Sequence, residues 1–325
     1  MAADPIRHKM QTDELQLANF VIGGTEKAGT TSVFVYLGEH PEVCAASKKE
    51  TDFFRDQFTG NTDQDRLNYA KYFDRCNTEN SVVMEASPGY LGEAELVAPR
   101  MHSMIPDAKI LFILRDPIDR LYSLYNFHVG KLNIPGELSF QDYVKHCFAY
   151  ERGEASAREL PMHEWYLKTI ALGRYAELLS LYRQRFPAAS IKVMFFESLQ
   201  EDVAGFMTEL SEFLQISREF WGNYEFRKFN VTFAGRNRLL HRAAMRVNAM
   251  AEPLLGRRPK LKRGMVNIYK AVTQATEGYD PMPETVREEL LRYYQPSMDA
   301  LPALLGNNIP ASWGRASQSS VTATG

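Results

Sequence analysis

A chain of 325 residues is long enough for one large α/β domain or two smaller ones, and shares of 45% apolar and 24% charged residues suit a soluble globular protein. A net charge of −2 excludes a nucleic-acid partner that depends on a broad basic surface. No apolar run approaches the roughly 20 residues of a membrane span, and residues 1–10 hold no apolar core of signal-peptide length.

The first predicted strand, 18–23, is apolar through Phe20-Val21-Ile22 and ends at Gly23-Gly24. It runs into Thr25-Glu26-Lys27-Ala28-Gly29-Thr30-Thr31-Ser32. A helix pattern over 30–39 follows, with Val33, Phe34, Tyr36 and Leu37 as its apolar positions. Strand, glycine turn and helix start together aim backbone N–H groups and the positive end of a helix at an anion. The spacing Gly24-x4-Gly29 fits a nucleotide P-loop. However, Thr30 stands where the P-loop lysine belongs, and the lysine sits inside the loop as Lys27. The loop is therefore expected to bind a phosphate-like group while departing from the ATPase pattern.

Further strands are expected over 81–85, 109–114 and 190–196, each a short run rich in Val, Ile or Phe. Helical patterns occupy 92–104, 117–130, 139–149, 175–186, 199–214, 236–252 and 284–304. Strands alternating with helices predict an α/β fold: a P-loop-like, three-layer arrangement with a central parallel sheet flanked by helices. Ligands then bind beyond the carboxyl ends of the strands, where Lys27, Glu85 to Ser87 and Arg115 fall. No repeat or linker divides the chain, so 1–315 is expected as a single domain and the small, polar 316–325 as a disordered tail. Cys44, Cys76 and Cys147 are scattered and odd in number. They are expected as buried thiols in a reducing compartment, with no disulfide framework and no metal site.

The strand 109–114 leads into Arg115-Asp116-Pro117-Ile118-Asp119-Arg120-Leu121-Tyr122-Ser123. Asp116 suits a helix N-cap and Pro117 the first turn. Arg115, at the strand's carboxyl end, is placed for a bidentate contact with a phosphate. Ser123 can donate a hydroxyl hydrogen bond to the same group, and it shares a helix face with Arg120.

The pairing of Gly24-x-x-Lys27-x-Gly29-Thr30-Thr31-Ser32 with Arg115-Asp116-Pro117-x-x-Arg120-x-x-Ser123 resembles the sulfotransferases that use 3′-phosphoadenosine 5′-phosphosulfate (PAPS). The resemblance continues in order through His40-Pro41, Lys49-Glu50-Thr51-Asp52-Phe53-Phe54, Glu85-Ala86-Ser87-Pro88-Gly89-Tyr90, Gly173-Arg174-Tyr175, Phe196-Glu197-Ser198-Leu199 and a closing block that ends at Trp313. It is strongest to bacterial members and to the heparan sulfate branch. It implies that Lys27, Ala28, Gly29, Thr30, Thr31 and Ser32 cradle the 5′-phosphosulfate, while Arg115 and Ser123 hold the 3′-phosphate. A late Gly/Arg loop, with Gly235, Arg236 and less closely Arg238, resembles the segment that caps that phosphate in relatives. Golgi relatives carry an N-terminal anchor that this sequence does not show, so a cytoplasmic, bacterial protein is expected.

The implied reaction passes the sulfuryl group in line to an acceptor hydroxyl or amine, and Lys27 is the expected stabiliser of charge on the leaving phosphate. A general base must reach the acceptor proton. Glu50 matches the catalytic glutamate of the heparan sulfate branch. His128 is the second candidate, in the context Ser123-x-Tyr125-x-x-His128 that many bacterial members share. Asp52 stands where relatives have His, and Ala86 where the heparan sulfate branch has Lys, which leaves the acceptor open beyond a lean to carbohydrate. Five cations in Arg257-Arg258-Pro259-Lys260-Leu261-Lys262-Arg263 form either a solvated loop or a strip for an anionic acceptor or peripheral membrane contact. Two other readings are a P-loop nucleotide kinase and an inactive nucleotide-binding module. The missing lysine at 30 and the lack of a clear strand-borne Mg²⁺-binding Asp count against the kinase.

Overall fold

Short apolar runs become parallel strands because both faces of each are buried. The computed structural model describes residues 15–77, 80–131, 133–135, 137–160, 162–227, 233–234, 276–277 and 281–314. In chain order these include β1 (Phe20–Gly24), α1 (Thr30–Gly38), β2 (Val43–Ala45), α2 (Thr62–Ala70), β3 (Val82–Ala86), α3 (Ala94–Met104), β4 (Lys109–Leu114), α4 (Pro117–Gly130), α5 (Phe140–Glu151) and α6 (Glu164–Lys168). There follow α7 (Tyr175–Arg183), β5 (Ile191–Phe195), α8 (Phe196–Glu201), α9 (Val203–Leu214), β6 (Phe233–Ala234), β7 (Thr276–Glu277) and α10 (Glu284–Leu305). Two compact units emerge: one from Met1–Arg120, Ala171–Phe229 and Glu289–Gly325, the other from Leu121–Ile170 and Asn230–Glu288.

The first unit holds the five-stranded sheet, in order β2-β3-β1-β4-β5. All four pairings are parallel, with Val21 beside Glu85, Phe20 beside Lys109, Val43 beside Val82 and Ile110 beside Ile191. The ladder between β1 and β4 shifts register between Ile22 and Gly24, where the strand gives way to the loop. Alternate residues serve opposite faces. Phe20, Ile22, Met84, Leu111, Ile113 and Met194 form one core with Val33 and Leu37 of α1 and Phe206, Met207 and Leu210 of α9. On the other face Phe112 meets the Tyr182 ring of α7 at 4.8 Å. The central sheet flanked by helices is the architecture expected from the sequence.

The differences are local. β2 has only three residues and lies at the sheet edge, too short for an apolar pattern to announce it. The helix expected over 199–214 is broken at Asp202, whose carboxylate accepts from Gly205 N at 2.9 Å and starts α9 afresh. The polar α2 was not expected either, and is opened by Asn61, which accepts from Gln64 N at 3.3 Å. The pattern over 236–252 lies outside the described residues.

The cysteine expectation is corrected. Cys44 and Cys76 form a disulfide, with Cα atoms 5.6 Å apart. The strand β2 carries Cys44 toward the segment after α2, and this proximity across 32 residues of sequence cannot be seen in the spacing. Cys147 is the free, buried thiol among the three.

In the second unit, Ser139 caps α5 by accepting from Asp142 N at 3.1 Å. Tyr125 donates to Leu138 O at 2.6 Å, and Tyr143 bonds the Thr169 hydroxyl. The two-residue strands β6 and β7 pair antiparallel, Phe233 with Glu277. Among the described residues, no helix is long and apolar enough to cross a membrane.

Candidate functional site

β1 sits at the centre of the sheet, and the chain visits both sides of it in turn, so a crevice opens at its carboxyl end. The loop Thr25–Gly29 starts there. Thr25 N donates to Ile113 O at 2.8 Å, tying the loop's first residue to β4. Gly29 is the N-cap of α1 with φ +80°, and a Cβ there would lie 2.7 Å from Leu199 Cδ2. Glycine is required on both counts. No side chain caps α1, so the first-turn N–H groups of Thr30, Thr31 and Ser32 are open to an acceptor from outside the helix. Thr30 is buried, Thr31 and Ser32 half-buried, and Ala28 fully buried.

Lys27 has φ +68°, a left-handed backbone that disfavours a non-glycine residue. Its carbonyl accepts from Arg115 Nη1 at 3.0 Å. The Arg115 guanidinium lies 4.7 Å over the Phe196 ring, and its carbonyl accepts from Tyr175 Oη at 2.9 Å. Lys27 and Arg115, 88 residues apart, thus meet at the loop.

Asp116 behaves as the cap read from the sequence. Its Oδ1 accepts from Ile118 N at 2.8 Å and Asp119 N at 3.2 Å, while Oδ2 accepts from Gly314 N at 2.7 Å. Burial, with Asp119 beside it, pushes its carboxyl up to about 6 against the pull of those donors.

On the other side of β1 lies the segment after β2. Glu50 N donates to Ala86 O at 2.8 Å, which places Glu50 at the carboxyl end of β3. Its half-exposed carboxylate meets Lys49 Nζ at 2.5 Å. Asp52 pairs with Arg55 at 3.2 Å, and Arg55 also grips Asp56 through Nε and Nη2 at 3.0 and 3.1 Å. Burial raises the Asp52 carboxyl, opposed by Arg55 and reinforced by Asp56 and Glu50. Burial also raises Glu26, opposed mainly by the fully buried Arg120, with Glu50, Arg55 and Asp52 within electrostatic reach. Loop, β3 end and start of α4 therefore share one charged neighbourhood.

Glu85 is fully buried at the end of β3. Its Oε1 accepts from Thr51 Oγ1 at 2.5 Å, Ser87 Oγ at 2.7 Å and Tyr90 Oη at 2.8 Å, and its Oε2 from Tyr69 Oη at 2.6 Å. Burial raises its pKa and the four hydroxyls oppose the rise. In the sequence Glu85 stands out only as part of the block Glu85–Tyr90. The signal was there: a carboxylate ending the otherwise apolar Val82-Val83-Met84 must be satisfied by buried donors. Glu26, Arg55 and Arg120 were likewise not proposed as site residues.

Ser123 and His128 belong to the second unit. Ser123 is buried. His128 Nδ1 lies 3.1 Å from Asn133 Nδ2, and its ring is flanked by Phe127, Trp165 and Tyr166 at 5.1, 5.4 and 4.9 Å. Gly235, Arg236, Arg238 and the basic run 257–263 lie outside the described residues.

Comparison with known proteins agrees with this fold. Residues 17–298 match the sulfotransferase domain family. The solved structure of a sulfotransferase from Alicyclobacillus acidocaldarius superposes with a TM-score of 0.62 at 25% identity, covering 92% of this chain and all of that one. The membrane-associated sulfotransferase kil1 of Dictyostelium discoideum is 35% identical over 40% of this chain and 28% of its own length. Mouse heparan sulfate glucosamine 3-O-sulfotransferase 3A1 is 26% identical over 62% of this chain and 47% of its own. Human bifunctional heparan sulfate N-deacetylase/N-sulfotransferase 3 is 28% identical over 62% of this chain. It is covered over only 22% of its length, so the chain spans between about a fifth and a half of these curated relatives. With most of its length matched and the sheet, loop and flanking helices in place, the chain belongs to the sulfotransferase domain family.

Proposed function

We propose that this chain transfers the sulfuryl group of PAPS to a hydroxyl or amine of an acceptor, in the family's manner. The observation that carries the reading is the loop Lys27–Gly29: an uncapped helix N-terminus, a lysine in left-handed conformation, and Arg115 braced against the lysine carbonyl. These residues suit a bound phosphosulfate because the uncapped N–H groups and a loop lysine belong to one short stretch at the end of β1, with Arg115 bonded to it. Lys27 to Ser32 would hold the 5′-phosphosulfate and Arg115 the 3′-phosphate, with Ser123, Gly235 and Arg236 assigned by resemblance. When bound, PAPS supplies the sulfuryl group and a bisphosphate leaving group.

The protein's own part is electrostatic and proton-moving. Lys27 and the first-turn N–H groups are set to neutralise charge that grows on the departing phosphate oxygen. Glu50, at the end of β3 beside the loop, is the proposed base. Lys49 Nζ pairs with its carboxylate at 2.5 Å, leaving the half-exposed group open to an acceptor proton. His128, held by Asn133 and three aromatic rings, is the other base candidate. The names of the relatives favour a carbohydrate acceptor, and the test is direct. Release of adenosine 3′,5′-bisphosphate from PAPS is followed with an unsulfated, N-deacetylated heparan-type polysaccharide and with small phenols. Nucleotide release that depends on acceptor supports the proposal, and ATP turnover that requires Mg²⁺ contradicts it.

The disulfide bears on location. Such bonds persist in oxidising compartments, so Cys44–Cys76 favours one of these over the cytoplasm expected from the sequence.

A further inference from the structure

The hydroxyls around Glu85 do two things at once. Thr51 Oγ1, which donates to Glu85 Oε1, accepts from Phe53 N at 3.3 Å. Ser87 Oγ, which donates to the same oxygen, accepts from Asp52 N at 3.1 Å. Tyr90 Oη, the third donor, accepts from Phe54 N at 3.3 Å. Three successive backbone N–H groups are thus each joined to one carboxylate oxygen through a hydroxyl. A hydroxyl has a single proton, and pointing it at the carboxylate frees its lone pairs for the N–H behind it. The polarity of all three relays is set by an acceptor-only group at their centre.

The segment held this way is unusual in its backbone. Glu50 has φ +61° and Asp52 φ +54°, on either side of Thr51. Non-glycine residues keep such angles only where their surroundings impose them. The Thr51 hydroxyl is bound to Glu85 between them, and Glu50 N is fixed to Ala86 O.

We propose that Glu85 is a positioning residue, which through Thr51, Ser87 and Tyr90 holds the segment that presents Glu50 and Asp52 at the mouth of the site. The inference rests on the reading of Glu50 as the base. Glu85 itself is fully buried and touches no substrate. Its effect on the reaction is orientation alone, so it sets turnover while leaving the nucleotide loop intact. A glutamine in its place would keep the shape, but its neutral carbonyl oxygen would accept the three relays more weakly than a carboxylate, and its N–H₂ group would face Tyr69 Oη, whose proton is pointed inward.

The test compares Glu85→Gln, Thr51→Val and Thr51→Ser with the parent protein in three measurements. These are calorimetric affinity for adenosine 3′,5′-bisphosphate, amide exchange at Asp52, Phe53 and Phe54, and kcat and KM on the heparan-type polysaccharide. Glu85→Gln and Thr51→Val should lose kcat on the order of 100-fold, the cost of misplacing a reacting group. Their nucleotide affinity should stay within about twofold, with exchange at the three amides at least about tenfold faster as local protection is lost. Thr51→Ser, which keeps the hydroxyl, should stay close to the parent. Unchanged exchange or unchanged kcat in Thr51→Val overturns the proposal, as does loss of nucleotide affinity in step with kcat. Failure of the underlying reading looks different. A parent protein that does not bind the bisphosphate, or a Glu50→Gln variant with full kcat, contradicts the assigned reaction or base, and amide exchange still decides whether Glu85 holds the segment.

Discussion

In the proposed reaction Lys27 would carry the charge stabilisation in one side chain, and its backbone conformation is a feature of the loop itself. The left-handed φ is disfavoured for lysine, and the Arg115 bond to its carbonyl helps hold the loop in that form. Lys27→Ala should lower kcat by about 10²- to 10³-fold, as deletion of a transition-state donor does. Arg115→Ala should mainly weaken binding of adenosine 3′,5′-bisphosphate, read by calorimetry. Near-normal turnover by Lys27→Ala would remove that residue from the mechanism. Gly29→Ala faces both a left-handed φ and the Leu199 side chain, so a loss of stability on the order of 1–2 kcal/mol is expected from the backbone alone.

Asp116 offers a pH signature. Its carboxyl is raised from 3.8 to about 6 in the folded state, which therefore binds the proton more tightly than the unfolded chain. Its contribution is fully present below about pH 4 and is lost as pH rises through 6, a swing of about 3 kcal/mol at 1.36 kcal/mol per unit. Denaturant titrations from pH 4 to 7 should show the stability difference between the parent and Asp116→Asn moving by about that amount in favour of Asn. A difference that stays constant across this range would contradict it.

Among the elements, the disulfide has the clearest consequence. It closes a loop of 32 residues that contains the Glu50 segment and α2. By loop-closure entropy its reduction should cost about 3–4 kcal/mol. Burial pushes the Cys147 thiol up to about 12, so the native, unreduced protein should not react with maleimide, and denaturation without reductant should expose one thiol. Three reactive thiols under those conditions would contradict the pairing.

The elements also show what the sequence made legible. β1, β3, β4 and β5 were readable because each is an uninterrupted apolar run, and the loop after β1 because glycine spacing and an internal lysine restrict what it can do. Asp116 was readable as a cap because it precedes Pro117. β2 was not, having three residues and no period. Neither was the Cys44–Cys76 pair, nor the convergence of Thr51, Tyr69, Ser87 and Tyr90 on Glu85, since both depend on which strands lie side by side. Sequence order carries little of that information.

Across the whole molecule, the strand order β2-β3-β1-β4-β5 explains why residues so far apart in sequence can serve one ligand. Loops after β1 and β4 bring the cradle and Arg115, and those after β2 and β3 bring Glu50 and the Glu85 network. The central claim is that this crevice is built for a 3′-phosphorylated adenine nucleotide. Calorimetry with adenosine 3′,5′-bisphosphate, with ADP and ATP as controls and no added metal, tests it most directly. Micromolar binding that depends on the 3′-phosphate is the predicted result. Preference for ATP with Mg²⁺, and indifference to the 3′-phosphate, would contradict the account.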